Sequence, residues 1–157
     1  MDDDIPTLRR ILAQCRTIAV VGLSAQWHRP SHFAASYLQG QGYRIVPVTP
    51  AYPEVLGEKA YPTLREIPFA VDMVDVFRKT ADVLPIAQDA IAIGARCLWL
   101  QLGVAHEDAA RRAEDAGLLV IQNRCVKIEH ARLFGGLGWA GVNTRVISAK
   151  RPQQLPY

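Results

Sequence analysis

Residues 17–50 read TIAVVGLSAQWHRPSHFAASYLQGQGYRIVPVTP, and this stretch decides the fold. Thr17 to Leu23 is an unbroken apolar run rich in β-branched residues. It is too short for a buried helix and fits a strand covered on both faces. The loop GLSAQWHRP follows, and Pro30 suits the first turn of a helix that runs to about Gln41. Gly40 and Gly42 end that helix, and Tyr43 to Thr49 forms a second strand. Strand, tight loop, helix and strand in that order make a unit that usually holds a nucleotide's phosphates. The question is which nucleotide.

Working outward, the pattern repeats. Asp4 and Pro6 start a short leading helix whose apolar stripe is Leu8, Ile11 and Leu12. TPAYPEVLGEKAYP, residues 49–62, carries three prolines and a glycine and reads as a loop. TLREIP is one helical turn, and Met73 to Phe77 is a third strand. Thr80 caps a helix from about Asp82 to Gly94, with Val83, Ile86, Ala90 and Ile93 on its inner side. Cys97 to Leu102 is a fourth strand, His106 to Ala116 a charged helix ending at Gly117, and Leu118 to Gln122 a fifth strand. A short helix near Lys127 to Leu133 precedes a glycine-rich tail. Alternating apolar strands and amphipathic helices predict an α/β fold, a Rossmann-like three-layer sandwich on a five-stranded, mainly parallel sheet in the order 3-2-1-4-5. Residues 1–133 form that domain, and residues 134–157 a tail that packs on the domain or on a partner.

Composition narrows the function. The chain has 157 residues and a net charge of +3, too weak a bias to point to nucleic acid. It contains no run of five basic residues. Cys15, Cys97 and Cys125 are odd in number and widely spaced, which fits neither a disulfide framework nor a metal knuckle and favours a reducing compartment. The acidic start MDDDIPTL is no signal peptide, and the apolar runs are strand-length rather than membrane-spanning. These features point to a cytoplasmic protein with no membrane contact and a modest anionic ligand.

In such a sheet the ligand sits at the carboxyl ends of the strands, where the strand order reverses. The first of those ends is Gly22-Leu23-Ser24. It is not GxGxxG, so the dinucleotide fingerprint is absent. Gly22 still permits a turn and a close approach of phosphate to backbone, and Ser24 offers a hydroxyl and an N–H. Arg29 lies just before the helix N-terminus, with His28 and Ser31 as further donors. The plain alternative is an ordinary turn with Arg29 in solvent. The second end, Val48-Thr49-Pro50, lacks the acidic residue that holds an NAD ribose; the next acid is Glu54. It leaves room for a phosphorylated ribose, with Arg44 and Lys59 nearby in sequence, or for one face of an adenine. At the third end Phe77 could pack on a base and Arg78 or Lys79 pair with phosphate, against the alternative of a solvated cation. Gln101-Leu102-Gly103 ends the fourth strand, either as a close backbone approach or as a simple turn.

Signals for catalysis are weak. Ser24 is in no GxSxG elbow, Glu129-His130 is not HExxH, and no cluster has metal-ligand spacing, so no metal and no catalytic residue is assigned. Cys125 follows the fifth strand beside Arg124 and Lys127, cations that would lower a thiol's pKa; the alternative is an inert buried cysteine. His130 reads more simply as a structural hydrogen-bonding residue than as a base.

VVGLSAQWHRPSHFAASYLQGQGYRIVPVTPAYPEVLG, VDMVDVFRK, AIAIGARCLWLQLGV and RCVKIEHARL resemble, in order and spacing, the small single-domain CoA-binding proteins of bacteria. That family is similar to the CoA-binding domain of the succinyl-CoA synthetase α subunit. The resemblance spans roughly Leu8 to Leu133. It implies coenzyme A bound through its 3′-phospho-ADP half, with Gly22, Leu23, Ser24 and Arg29 at the phosphates, Val48, Thr49, Pro50, Phe77 and Arg78 along the adenosine, and Gln101, Leu102 and Gly103 closing the site. The missing acid on the second strand fits, because CoA carries a 3′-phosphate there. The synthetase's catalytic phosphohistidine lies in a domain this chain lacks. The primary expectation is therefore a module that binds CoA or an acyl-CoA without chemistry of its own. The alternatives are an NADP-dependent oxidoreductase or acyl-CoA-handling enzyme using Cys125 or His130, and an interaction subunit with a vestigial pocket. A homodimer or a partner protein stays open.

Overall fold

In a computed structural model the described residues are 5–134. The expected tail beyond Phe134 lies outside them, and Phe134 itself is the last residue of a helix. The elements in chain order are α1 (Ile5–Gln14), β1 (Thr17–Val21), α2 (Pro30–Gly40), β2 (Arg44–Val48), β3 (Glu54–Val55), β4 (Glu58–Lys59), β5 (Met73–Val76), α3 (Val83–Ala92), β6 (Cys97–Leu100), α4 (Glu107–Asp115), β7 (Leu119–Ile121) and α5 (Val126–Phe134).

β1, β2, β5, β6 and β7 form one parallel sheet of five strands. Alternation along the strands divides the core into two layers. Ala19, Val21, Val74, Val76, Leu98 and Leu100 face α3 and α4, whose buried stripes include Val83, Ala87, Ala90, Ala109 and Ala113. Ile18, Val20, Met73, Cys97 and Trp99 face the other side, against Leu8, Ile11 and Leu12 of α1, Leu38 of α2 and Val126 of α5. The result is the expected three-layer α/β sandwich of Rossmann-like type.

Two expectations are corrected. The sheet order is β2-β1-β5-β6-β7, that is 2-1-3-4-5 and not 3-2-1-4-5. The strand expected beyond β2 is β5, which is buried along its whole length and pairs directly with β1. What lies beyond β2 is a single bridge between Val48 and Tyr61, held by Thr49 N–H to Tyr61 O at 2.9 Å and Tyr61 N–H to Pro47 O at 3.0 Å. Pro62 follows at once and has no N–H to extend the ladder. Secondly, Thr80 does not cap α3: Thr80–Asp82 is a short 3-10 turn, and Asp82 takes the N-cap position without a side-chain cap. The segment read as a plain loop also holds a hairpin, β3 with β4, turning on Leu56 and Gly57 at φ 55° and 77°. No helix among the described residues is long and apolar enough to cross a membrane.

Candidate functional site

The reversal of strand order falls between β1 and β5, so the loops leaving those two strands flank the crevice where such folds place ligands. Gly22 leaves β1 at φ +88°, and a Cβ there would stand 2.7 Å from the Phe77 carbonyl oxygen and 2.9 Å from Arg78 Cδ. The two loop backbones therefore touch, and only glycine fits both the space and the left-handed conformation. Gly22 N–H is anchored to Val48 O at 2.9 Å, and Phe77 N–H to Val21 O at 2.9 Å.

A cavity of about 410 Å³ opens at this edge, lined by Pro30, Phe77, Arg78, Gln101, Leu102 and Val104. Its size is that of a small-molecule site. Phe77 is half-buried and Leu102 is 52% exposed, which leaves apolar surface at the opening. Arg78 is the cation at the wall, and its Nε and Nη2 donate to Asp82 Oδ2 at 3.2 and 2.8 Å. The carboxyl ends of β1, β5 and β6 thus meet at one edge, a meeting that the expected order, with β2 between β5 and β1, would not have given. Pro30 and Val104 join them; the sequence reading used Pro30 only as a helix starter.

Other expected residues stand differently. Leu23 is buried in the core layer beneath α1 and α5, so only its backbone belongs to the loop. Ser24 N–H donates to Ser31 Oγ and Gln26 N–H donates to Ser24 Oγ, each at 3.0 Å, so the loop's hydroxyls brace the loop itself. Arg29 and His28 are exposed beside it, as is Trp27, which is 72% exposed. Val48 and Thr49 are buried at the end of β2, with Ala51 N–H donating to Thr49 Oγ1 at 3.1 Å, and Pro50 is exposed; none of the three lines the cavity. Gly103 has φ +86° with nothing within 4 Å of a Cβ, so a turn and not a close approach requires it. Arg44 lies over the Phe69 ring at 3.9 Å and begins β2 at the opposite end of the sheet, and Lys59 stands 5.3 Å from the Tyr61 ring; neither lines the cavity.

Beneath the cavity is a group the sequence reading passed over. Asp75, in the middle of β5, is fully buried. Its Oδ1 accepts from Gln101 Nε2, while Gln101 Oε1 accepts from Val126 N–H at 3.3 Å. Its Oδ2 has no hydrogen-bond partner among the described residues. Burial pushes the carboxyl up to about 7, against a smaller opposing pull from the Gln101 hydrogen bond. A lone acid inside MVDVF was the available signal; its partner lies 26 positions away.

The two groups weighed for catalysis are not poised for it. Cys125 is 5% exposed, and burial raises its thiol pKa beyond what the Lys127 and Ile128 amides and the Lys127 charge offset. His130 sits at the other end of the sheet, in a recess with Arg16, Gln41 and Tyr43, its Nδ1 2.9 Å from Tyr37 Oη. Burial and the charge of Arg16 lower its pKa. Among the described residues no group of three or more His, Cys, Asp or Glu could hold a metal ion.

Comparison with known proteins adds the family. A family model described as "CoA binding domain" matches residues 16–131. The Bacillus subtilis protein YneT is 37% identical over 124 residues, 79% of this chain and 92% of YneT. A protein of Pyrococcus horikoshii OT3 is 37% identical with a TM-score of 0.83, over 86% of this chain and 96% of that one. The dinucleotide-forming acetyl-coenzyme A synthetase 1 of Ca. Korarchaeum cryptofilum, in complex with phosphate and ADP, shares the fold at 24% identity and a TM-score of 0.64. The match covers 76% of this chain and 27% of that one.

Proposed function

The chain belongs to the CoA binding domain family, and we propose that it binds coenzyme A, free or acylated, at the edge where β1, β5 and β6 end. The observation that carries this is the contact of two loops: the Gly22 backbone seated against Phe77 and Arg78, beside a cavity of about 410 Å³. The residues fit the ligand. Gly22 brings bare backbone to the crevice, Phe77 offers a ring for a base, and Arg78 offers a guanidinium for phosphate. Arg29 stands in the β1–α2 loop as a second cation. Thr49 and Pro50 end β2 without a carboxylate, which leaves that side open to a phosphorylated ribose. Gln101, Leu102 and Gly103 border the far side, where Leu102 gives apolar surface toward an acyl or pantetheine arm.

The role we assign is that of a cytoplasmic binding module. Neither Cys125 nor His130 is placed to act on a ligand in the cavity, and no other described side chain pairs a nucleophile with a base there. A thermal-shift panel of CoA, acetyl-CoA, ADP, NAD and NADP tests the reading. A ligand at a hundred times its Kd stabilises by about 2.7 kcal/mol, or roughly 5–10 °C for a chain of this size. CoA should produce such a shift and NAD none. A larger response to NADP than to CoA, or no response to any of the five, would remove the assignment.

A further inference from the structure

Arg78 is the cavity's cation, yet its charge is engaged. Two of its donors, Nε at 3.2 Å and Nη2 at 2.8 Å, converge on Asp82 Oδ2. The pair is half exposed, Arg78 at 49% and Asp82 at 32%. Asp82 also sits at the N-cap of α3 without capping it, so the helix does not require its carboxylate. Arg78 lies close over Gly22, its Cδ 2.9 Å from the place a Cβ would occupy, so the glycine leaves the room the side chain takes at this wall. A phosphate arriving in the cavity meets a guanidinium whose Nε and Nη2 a carboxylate already holds, and it binds close to that negative charge.

We propose that Asp82 is a specificity-determining residue: it competes with a ligand's phosphate for Arg78 and so lowers the preference of this wall for phosphate-bearing ligands. This rests on the CoA-site reading above. Ligands without phosphate gain nothing from the guanidinium, since displacing Asp82 with a neutral group exchanges a charge-assisted contact for a weaker one. An exposed pair of this kind contributes little to stability. Its effect is on selection.

The test is calorimetric titration of wild type, Asp82→Asn, Arg78→Ala and the double variant with CoA, dephospho-CoA and pantetheine. Asp82 makes no cap hydrogen bond and its ion pair is exposed, so Asp82→Asn keeps the fold, which a melting curve checks. Asp82→Asn should bind CoA about two- to five-fold more tightly, the range an exposed ion pair commands. Pantetheine should be unaffected. Dephospho-CoA tells which phosphate is read: a gain for it as well as for CoA places the diphosphate at Arg78, and a gain for CoA alone places the 3′-phosphate there. In the Arg78→Ala background the gain should vanish. Unchanged or weaker CoA binding by Asp82→Asn, an equal gain for pantetheine, or a gain that survives loss of Arg78 would overturn the proposal. Failure of wild type to bind CoA would instead overturn the site reading on which it rests.

Discussion

Replacing Asp75 with Asn should change how stability depends on pH, and the sign follows from the burial of β5. The carboxyl is fully buried, and its pKa rises from 3.8 to about 7 on folding. Between those values the folded protein holds a proton that the unfolded chain has released. Stability therefore falls as pH rises through that window and levels off above the folded-state value. The shift of about three units corresponds to a loss on the order of 4 kcal/mol across the window, at about 1.4 kcal/mol per pH unit. Asn retains an oxygen for the Gln101 donor and does not titrate. Its extra N–H costs about 1–3 kcal/mol if unpaired, but that offset is the same at every pH. Urea unfolding followed by circular dichroism, from about pH 4.5 to about pH 8.5, gives the two stability curves. Their difference cancels the other titrating groups and should tilt in favour of the Asp75→Asn variant as pH rises toward about 7, then stay flat. Parallel curves would show that Asp75 keeps an ordinary carboxylate pKa in the fold, and the reasoning from burial would fail.

Gly22→Ala should lower the melting temperature by more than the roughly 2–8 °C that a left-handed alanine costs at about 1–2 kcal/mol, because its methyl must also displace the Phe77 carbonyl. Gly103→Ala, with a similar φ and open space around it, is the control and should lose only the strain, roughly 2–8 °C; equal losses would mean that the loop contact at Gly22 is not tight. Arg78→Ala and Arg29→Ala should each weaken CoA binding several-fold, and titration of both variants at wild-type affinity would refute the cationic wall. Cys15, Cys97 and Cys125 are all buried, so native protein should react with a thiol reagent far more slowly than protein in denaturant. Rapid native labelling at Cys125, located by mass spectrometry, would return that thiol to consideration as a reactive group.

How much of this was legible depends on the range over which each feature is determined. β1, β5 and β6 are short runs of apolar and β-branched residues because both their faces are covered, and that condition is written locally in TIAVV, MVDV and CLWL. The loops that leave them carry Gly22 and Arg78 at the predicted ends for the same reason. The strand order is not local. It turns on whether the chain after β2 can add a full edge strand, and Tyr61-Pro62 allows one bridge before the missing N–H stops it. The hairpin at Leu56-Gly57 was hidden because leucine at positive φ gives no turn signal, unlike asparagine. Asp75 was visible as a letter but not as a chemical group, since its altered acidity comes from the burial that the rest of the fold imposes on the strand, against the opposing pull of Gln101. The same distinction applies to Arg78. The sequence supplies a cation at a strand end, but only the fold sets it against Gly22 and hands its charge to Asp82, four residues on. A site of this kind is read correctly in its residue types and incompletely in its charge state. The Arg78–Asp82 pair is therefore where substitution gives the most direct account of what the cavity selects.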